Sequence, residues 1–414
     1  MKIVKSSRLL IFILLGMLCC CRKQQQEDIS NRSYFAFDLT DRKLATPVQL
    51  NDSVTVKLLF DTGAGLEYYD ELITLDSSVL SANSLASQKH IQRRGFSSSA
   101  WSKNREQAIY YDSLHLKLKI GHTDFIYSGI CSFPYKKYAN SNVTEGIFNI
   151  PQSDTTHVWE LNFENNYMEV HLAHSYNLPA DCMVLPFEDS NYAPFLVTFP
   201  LRLCFSDKDT LTIHQKFFID TGFPRDIVLL QGAQEQKYLH QREDAVWLSD
   251  LGRYVRYYTA TVTLFDDLKM DSLRIYTLDY KNSVPHPYII GLNFLKRFNC
   301  FFDMKNKRLG LQPHRRFKRL VNPLYCRFHY STQKSKEGKF IVDCVGDYKE
   351  NCYKTAGLKV GDEIVSIEGF PYGEITLETA NLLRLLDTLV VNIVRDGKPQ
   401  TLYVAVDQNE PTGD

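Results

Sequence analysis

The sequence predicts an all-β protein of two similar lobes, followed by a small α+β module. Three observations support this fold class. Two strand patterns end in the same tripeptide, Asp-Thr-Gly, each is followed by an apolar turn and a hairpin, and a separate pattern of strands and a helix occupies the C-terminal hundred residues. At about 100 to 200 residues per domain, the 414-residue chain has room for all three units.

The charge balance excludes some classes of function. The 48 Lys and Arg residues match the 48 Asp and Glu residues, so the formal net charge is zero. Because nucleic-acid binding needs a surplus of positive charge facing phosphate, we expect no nucleic-acid partner. Hydrophobic residues make up 44% and charged residues 23% of the chain, which is typical of proteins that bury a core and excludes disorder throughout.

Residues 1–21 have the pattern of an export signal. Basic residues precede the apolar run 9–18, which is too short for the ~20 residues that span a bilayer, and three cysteines follow it. The pattern resembles a bacterial lipoprotein signal with Cys21 as the lipidated residue; Cys19 and Cys20 are alternatives. The resemblance implies an exported protein, periplasmic or at the cell surface, that a lipid anchor holds on a membrane. An ordinary cleaved signal peptide is the other interpretation, and the polar residues 22–32 are predicted to form a tether.

The remaining cysteines indicate neither a metal site nor a redox motif. None of them shows zinc-ribbon or Cys-x-x-Cys spacing, and their number is odd, so at least one stays free or pairs with another chain. Buried apolar thiols are the simpler interpretation. These seven residues are Cys131, Cys182, Cys204, Cys300, Cys326, Cys344 and Cys352.

A repeat organises the middle of the chain. The alternating segment 54–60 runs into Asp61, Thr62 and Gly63, and the apolar segment 216–219 runs into the identical tripeptide 220–222. With average residue usage, one such tripeptide is expected by chance in about one chain in ten of this length, and two in only a few per thousand. Each half then continues with a glycine among apolar residues, Gly146 or Gly291, and with a hairpin pattern, at 161–170 or 301–311. We therefore interpret the halves as duplicates.

This pattern resembles the aspartic protease superfamily, and Asp-Thr-Gly-Ala is nearest its retropepsin-like branch. The resemblance covers about Ser33–Pro313, with a first lobe at 33–175 and a second at 176–313. It implies a duplicated, acid-protease-like β domain in which Asp61 and Asp220 form a catalytic pair between the lobes. It also implies a peptide or protein substrate and requires no metal or other cofactor.

The resemblance assigns supporting roles to the residues around the pair. The two threonines would brace the two loops by hydrogen bonds across the interface, and the glycines after them would allow a close turn. Gly291, and by position Gly146, would pack beneath the loops. The supporting residues are thus Thr62, Gly63, Thr221, Gly222, Gly146 and Gly291.

The chemistry of such a pair also predicts a pH dependence. Two carboxyl groups within hydrogen-bonding distance share one proton, so one acts as a base towards water and the other as an acid towards the amide oxygen. In the pepsin-like branch a Ser or Thr follows each tripeptide and its hydroxyl stabilises the anion. Ala64 and Phe223 stand there instead, so we expect an activity maximum at weakly acidic to neutral pH.

Three features depart from the family pattern or extend it. Glu145 precedes Gly146 where the retropepsin branch has an apolar residue, and the second tripeptide is followed by a bulky and charged segment, 223–226. These departures leave open an inactive descendant that keeps the fold. A hairpin flap over the cleft is expected between about Arg93 and Tyr111, where Trp101 or Tyr110 either contacts substrate or is an ordinary loop or core aromatic.

The last hundred residues are predicted to form a separate module. After a basic stretch at 314–319, interpreted as a linker, the segment Ala356–Gly369 resembles the signature of bacterial PDZ domains, and the match covers about 320–406. The family binds peptide C-termini at a sheet edge, which implies a peptide C-terminus as a partner. Residues 332–339 are the candidate carboxylate loop, and a scaffold that packs on the protease is the alternative.

Together these features predict a lipid-anchored aspartic endopeptidase with a PDZ domain for docking or regulation. Asp61 and Asp220 would activate water to hydrolyse a peptide bond. The alternative is a catalytically inactive peptide-binding lipoprotein.

Overall fold

The computed structural model describes residues 32–34, 36–38, 43–64, 72–83, 85, 91–98, 105–138, 144–189, 195–250, 253–265, 268–279, 287–315, 317, 330–335, 337–345, 352–375, 379, 383 and 386–405. The predicted signal, lipidation site and nearly all of the tether lie outside these residues. Within the described part, no helix is long and apolar enough to cross a membrane.

The first half of the chain is built almost entirely from strands. In order, its elements are β1 (Ser33–Tyr34), β2 (Ala36–Asp38), β3 (Lys43–Leu50), β4 (Val54–Phe60), β5 (Leu72–Asp76), α1 (Ser77–Ala82), β6 (Ile91–Ser98), β7 (Arg105–Ile120), β8 (Thr123–Phe133), α2 (Tyr135–Tyr138), β9 (Gly146–Phe148), β10 (His157–Asn162) and β11 (Tyr167–Leu172).

The second half repeats this plan. Its elements are β12 (Met183–Pro186), β13 (Leu196–Ser206), β14 (Asp209–Asp220), β15 (Ile227–Leu230), α3 (Glu235–Leu239), β16 (Val246–Asp250), β17 (Arg253–Leu264), β18 (Leu268–Leu278), β19 (Tyr288–Gly291), α4 (Leu292–Leu295), β20 (Phe298–Asp303) and β21 (Arg308–Pro313).

Each half closes into a barrel. Among the described strands, the first barrel runs β3-β4-β9-β5-β8-β7 and the second runs β13-β14-β19-β15-β18-β17. Pairing of β3 with β7 closes the first, and pairing of β13 with β17 closes the second. The alternation that predicts β4 is visible in its burial, because Val56, Leu58 and Phe60 are at most 3% exposed while Thr55 and Lys57 face solvent. The predicted all-β, duplicated two-lobed fold class is confirmed.

The duplication extends to the register of the strands. Strand β4 pairs in parallel with β9, and β14 pairs in parallel with β19. A hairpin then extends from the end of each barrel sheet, formed by β6 and β7 in the first half and by β16 and β17 in the second. The two halves therefore share one topology.

A third sheet joins the halves. Its order is β1-β11-β10-β20-β21-β12, and its central contact is the antiparallel pair of β10 with β20, in which Trp159 lies opposite Phe302. Phe60, the last residue of β4, lies against this sheet, with ring centroids 6.2 Å from Trp159 and 6.4 Å from Phe302. The end of β4 is thus packed on strands of both halves, and we call this layer the shared sheet.

The C-terminal part forms its own sheet and core. Its elements are β22 (Tyr330–Lys334), β23 (Phe340–Val345), α5 (Cys352–Thr355), β24 (Glu363–Ile367), β25 (Phe370–Pro371), a 3₁₀ turn (Tyr372–Glu374), β26 (Thr388–Arg395) and β27 (Lys398–Ala405), with sheet order β22-β23-β24-β26-β27. A hydrophobic cluster that includes Val342, Tyr353, Ile367 and Val391 fills its interior. We call residues 330–405 the C-terminal module.

Candidate active site

Two loops of the same shape carry the predicted acidic pair. Asp61 follows β4 directly, and Asp220 is the last residue of β14. In each loop the amide two residues later donates to the carboxylate, Gly63 N to Asp61 Oδ1 at 2.8 Å and Gly222 N to Asp220 Oδ1 at 3.0 Å. Each carboxyl group is therefore turned back over its own loop and held by a backbone donor.

The threonines lock the two loops together. The hydroxyl of Thr62 accepts from Thr221 N at 3.0 Å and donates to Ile219 O at 2.7 Å. Reciprocally, the hydroxyl of Thr221 accepts from Thr62 N at 3.0 Å and donates to Phe60 O at 3.0 Å. Both side chains are fully buried, so these four bonds form without competition from water.

The lock brings the two carboxyl groups into contact. Asp61 and Asp220 share a side-chain hydrogen bond, which requires that one of them carry a proton. Each also lies against the glycine of the opposite loop: a Cβ on Gly63 would meet the Asp220 carboxyl group, and one on Gly222 would meet that of Asp61. Only glycine leaves room at these two positions.

The environment favours the shared proton. Burial raises the pKa of Asp220 well above its usual value, and the neighbouring Asp61 carboxyl group raises it further. Backbone donors from Gly222 and Phe223 oppose this rise without cancelling it. The pair titrates as a unit, so no fixed acid or base role is assigned to either residue.

The residues after the tripeptides offer no hydroxyl to the pair. Ala64 is half-buried, and its amide donates to Asp61 O at 3.1 Å. Phe223 is 3% exposed and packs in a hydrophobic cluster with Val228 and Tyr276 rather than on the surface. The bulky Phe223 is therefore accommodated by the core beside the second loop.

The second loop rests on Gly291 and the start of α4. Amides of this segment bind the loop carbonyls, with Gly291 N donating to Asp226 O at 2.8 Å, Leu292 N to Phe223 O at 2.7 Å and Asn293 N to Arg225 O at 3.1 Å. A Cβ on Gly291 would collide with Arg225 O. Gly291 thus lies beneath the second loop, as the resemblance implies.

The expectation for Gly146 needs a correction. The parallel pairs place Phe148 opposite Phe60 and Ile290 opposite Ile219, so Gly291 has Asn149 as its counterpart. Gly146 lies three residues earlier and packs on the backbone carbonyl of Thr74 in β5. The sequence pattern suggested Gly146 as the counterpart of Gly291 because the first half has Asn149, and no glycine, at the equivalent position.

Asn149 supports the first loop with its side chain. Its Nδ2 donates to Ala64 O at 2.9 Å, and its Oδ1 accepts from Ile150 N at 2.7 Å. Sequence reasoning missed this residue, although an Asn where the other half has a Gly was a visible signal. The two loops are therefore supported differently, by a side-chain amide in the first half and by backbone amides in the second.

Glu145 fits without disturbing the first barrel. Its carboxylate pairs with Lys136 Nζ at 3.0 Å and accepts from Lys57 N at 3.3 Å, and its backbone bonds to β4 and β5. The side chain is 29% exposed, so its charge is solvated. This departure from the family pattern carries no structural cost to the site.

A hairpin occupies the position predicted for the flap. Strands β6 and β7 pair from Ile91 with Asp112 to Ser98 with Arg105, and Trp101 lies outside the described residues. Tyr110 is 3% exposed and packs in a cluster with Ala108, Phe133 and Tyr135. Of the two roles considered for Tyr110, the structure supports the core aromatic.

The charged residues after the second tripeptide are buried behind the loop. Arg225 is 3% and Asp226 8% exposed, and Arg297, which follows α4, is 2% exposed. The Arg225 guanidinium lies over the Tyr276 ring, 5.1 Å from its centroid. Burial raises the pKa of Asp226, while the charges of Arg274, Arg297 and Arg225 act to lower it. Sequence reasoning noted Arg225 and Asp226 but missed Arg297.

The start of the predicted linker is part of the folded body. His314 is 7% and Phe317 4% exposed. His314 Nε2 lies 2.8 Å from Lys296 O, and the Phe317 ring packs on Phe298 with centroids 5.1 Å apart. Interpreting the whole of 314–319 as a solvated linker was therefore wrong for these two residues.

A second polar cluster lies in the shared sheet. Glu160, Glu169 and His171 bring ligand atoms within 4.8 Å of one another. Glu160 already accepts hydrogen bonds from Asn162 and Tyr167, and His171 Nε2 lies 2.8 Å from its other oxygen. Glu169 pairs with Arg32 at 2.9 Å. These bonds describe a structural cluster that ties the first described residue to the shared sheet.

Cys182, Cys204 and Cys300 are free thiols in the part of the chain that the structure describes. Burial raises the pKa of Cys182 to about 12 and that of Cys300 well above its usual value. Neither is therefore a reactive thiolate at neutral pH.

The signature residues of the C-terminal module shape its backbone. Gly357, Gly361 and Gly369 have φ of 90°, 94° and 79°, a region that favours glycine. Asp362 is 1% exposed and accepts two hydrogen bonds from Arg395, from Nε to Oδ1 and from Nη2 to Oδ2, both at 2.7 Å. The motif thus fixes a turn and a buried ion pair.

In the candidate carboxylate loop of the module, four amides that follow β22 have hydrogen-bond partners. In the turn between β22 and β23, Ser335 N donates to Lys339 O and Gly338 N to Ser335 O. The amides of Glu337 and Lys339 donate to Ser335 Oγ, each at 3.2 Å. A terminal carboxylate would find these four donors occupied, and the assignment of 332–339 as the carboxylate loop stays a prediction.

Comparisons with known proteins give structural similarity without a sequence match. No protein-family model matches the chain, and no curated protein matches its sequence. Among solved structures, the chain is similar to the aspartic proteinase from Irpex lacteus, with 12% sequence identity and a TM-score of 0.43. The match covers 70% of this chain and 99% of that one.

Proposed function

We propose that this protein is an aspartic endopeptidase that hydrolyses peptide bonds with a water activated between Asp61 and Asp220. The observation that carries the proposal is the contact between the two carboxyl groups, held by the reciprocal threonine bonds. Carboxyl groups buried in contact raise each other's pKa, and a protein has little structural reason to maintain such a pair.

The chemistry needs only these two residues and water. The ionised carboxylate takes a proton from the water while the protonated partner gives its proton to the amide oxygen. The water oxygen bonds to the carbonyl carbon and forms a tetrahedral diol. The newly protonated carboxyl group then gives its proton to the amide nitrogen while its partner takes a proton from a diol hydroxyl, so the C–N bond breaks, an amine and a carboxylic acid leave, and the pair again shares one proton. The substrate is a peptide in an extended conformation, with the β6–β7 hairpin as the element that covers it.

The test is a comparison of Asp61→Asn and Asp220→Asn with the wild-type protein on a broad peptide library. Each variant should lose at least about 10³-fold in kcat/KM, because each removes the shared proton or its acceptor. The control is Asp189→Asn, since the Asp189 side chain is 99% exposed. A folded wild-type protein that cleaves no peptide and binds no mimic of the tetrahedral diol would instead support a catalytically inactive peptide-binding protein.

We infer further that the C-terminal module is a PDZ-like peptide-binding domain. Supporting observations are the signature glycines at positive φ and strand β22, which among the described strands pairs on one edge only. A peptide can add to such an edge as an extra strand. Fluorescence polarisation with free and C-terminally amidated peptides tests this: a preference for the free carboxylate supports it, and no binding of either set contradicts it.

We also propose a lipid anchor at Cys21 and an exported location. The basis is the sequence of residues 1–21 alone. Metabolic labelling with a fatty acid should mark the wild-type protein, and Cys21→Ser should lose the label and release the protein from membranes. Persistence of the label in Cys21→Ser would move the assignment to Cys19 or Cys20.

A further inference from the structure

Phe223 connects the second acidic loop to the core of its lobe. Its amide donates to the Asp220 carbonyl at 3.3 Å and is also one of the backbone donors to the Asp220 carboxyl group. Its own carbonyl accepts from Leu292 N at 2.7 Å and from Arg225 N at 2.9 Å. The backbone of this residue is therefore bonded both to Asp220 and to the start of α4.

The ring of Phe223 is held among strands of the second barrel. The side chain is 3% exposed and belongs to a cluster with Val228 on β15, Tyr257 on β17 and Tyr276 on β18. Protein interiors are packed so closely that a change of one methylene is felt. The position of the ring relative to these three strands is therefore fixed by packing.

We propose that Phe223 is a positioning residue for Asp220: its ring, anchored between β15, β17 and β18, fixes where the second loop places the Asp220 carboxyl group against that of Asp61. The inference rests on the proposed function for its kinetic readout. It goes beyond that function because Phe223 is neither the acid nor the base of the reaction.

The equivalent residue of the first loop has no such anchor. Ala64 has only a methyl group as its side chain, and its carbonyl accepts from Asn149 Nδ2 at 2.9 Å, where the Phe223 carbonyl accepts from Leu292 N. Both loops are thus held at the same carbonyl, and the second has a packed ring in addition. Asp220 is 3% exposed whereas Asp61 is half-buried, so the ring supports the more deeply buried member of the pair.

A small displacement of the loop is enough to affect cleavage. Gly222 lies between Asp220 and Phe223 and is pressed against the Asp61 carboxyl group, which a Cβ at this position would meet. A shift of Phe223 therefore changes the distance between the two carboxyl groups. A misplacement of about 1 Å in a catalytic group can cost about 10²-fold in rate.

The experiment compares Phe223→Ala and Phe223→Leu with the wild-type protein on the same peptides. Phe223→Ala removes the ring and should lower kcat by about 10-fold or more with KM within about 3-fold, because the loss is in the geometry of Asp220 rather than in substrate contacts. Phe223→Leu keeps a large apolar side chain and should recover most of kcat. If Phe223→Ala does not fold, Phe223→Val takes its place.

Leu203→Ala is the matched control. Leu203 on β13 is fully buried in the cluster that fills the barrel interior, and its strand partners are Leu211 and Val262 rather than residues of the acidic loop. Truncation of a large buried side chain destabilises a protein wherever it lies in the core. Leu203→Ala should therefore lower the urea midpoint of unfolding, as Phe223→Ala does, and leave kcat unchanged.

Titration of the acidic pair gives a readout that needs no activity. Carbon-13 NMR of protein labelled at the Asp carboxyl carbons follows it, with the Asp220 signal identified by its loss in Asp220→Asn. Without the ring, the Phe223 amide is no longer held at Asp220 and one donor to the charged form is lost. The apparent pKa of the pair should therefore rise in Phe223→Ala and stay unchanged in Leu203→Ala. The basic side of the kcat/KM profile should move to higher pH with it.

Two results would overturn the inference while leaving the proposed function intact. One is a kcat of Phe223→Ala equal to that of Leu203→Ala, and the other is a titration of the pair that is the same in Phe223→Ala and in the wild type. A wild-type protein without peptidase activity would remove the proposed function. The titration would then decide the role of Phe223 by itself.

Discussion

Gly63 and Asp220 face each other across the boundary between the lobes so closely that a Cβ on Gly63 would lie 2.6 Å from the carboxyl carbon of Asp220. Gly222 and Asp61 repeat this relationship from the other side. The two glycines therefore set how near the acidic residues can approach, and a methyl group at either site must push the loops apart.

Gly63→Ala and Gly222→Ala should each abolish cleavage while the protein stays folded. We expect a loss of about 10²-fold or more in kcat/KM, because a carboxyl group displaced by about 1 Å no longer shares its proton well. Steady-state kinetics and circular dichroism measure the two effects. Gly397→Asn is the control, since Gly397 lies in the β26–β27 turn with φ of 74°, where Asn is tolerated. An Ala variant with full activity would mean that the pair does not act as a unit.

Thr62→Val should lower both stability and activity. The change leaves Thr221 N and Ile219 O without a buried partner, and each unsatisfied group costs about 1–3 kcal/mol. Thr62→Ser keeps the hydroxyl and should behave nearly like the wild type. Urea unfolding followed alongside cleavage tests this, with Thr198→Val as the control because the Thr198 hydroxyl donates to Glu188, a side chain that is 30% exposed. Equal unfolding midpoints for Thr62→Val and Thr62→Ser would show that the hydrogen bonds of the Thr62 hydroxyl do not contribute to stability.

Asp220→Asn should make the folded protein more stable, and increasingly so as pH rises. The folded-state pKa of Asp220 is raised above its ordinary value by burial and by Asp61, so the folded state holds a proton that the unfolded state releases. That difference costs stability as pH rises from about 4, the ordinary pKa of Asp, up to the folded-state value. Asn carries no such cost.

Thermal unfolding from pH 4 to pH 8 measures this difference. The free energies of unfolding of wild type and Asp220→Asn should be nearly equal at the acidic end and differ by on the order of 1 kcal/mol or more in favour of the variant near neutrality. A variant that is less stable throughout would indicate that the two carboxyl groups are not in contact in solution.

Ala64→Ser should move the pH optimum of cleavage towards acid. The wild-type loop offers no hydroxyl at this position, and a serine there can donate to the ionised pair and lower its pKa. On the basic side of the profile of kcat/KM against pH, the variant should therefore lose activity at a lower pH than the wild type. A wild-type maximum at strongly acidic pH would overturn the reasoning from Ala64 and Phe223.

The parts of the fold that follow from local pattern were predictable from the sequence. The alternation before Asp61, the duplicated tripeptides and the two hairpin patterns after them all correspond to strands and turns in the structure. Each of these signals lies within about ten residues of chain, where strand period and turn chemistry are decisive.

The missed features depend on contacts between distant segments. Pairing of β3 with β7 or of β13 with β17 leaves no local mark, because either edge could be free in an open sheet. Asn149 was missed because a glycine is recognisable in the sequence, whereas the strand register that places Asn149 beside Asp61 is not. Arg297 was missed because a charged residue after an apolar helix usually faces solvent. Burial of His314 and Phe317 was hidden by the basic residues around them.

The shared sheet makes the two halves obligate partners in folding. Strands β10 and β11 come from the first half and β12, β20 and β21 from the second, so either half alone would present an open sheet edge to other chains. A break in the polypeptide between Leu172 and Met183 would leave the two halves bound through that layer. Fragments expressed separately would then aggregate, whereas fragments expressed together would reconstitute the complete molecule.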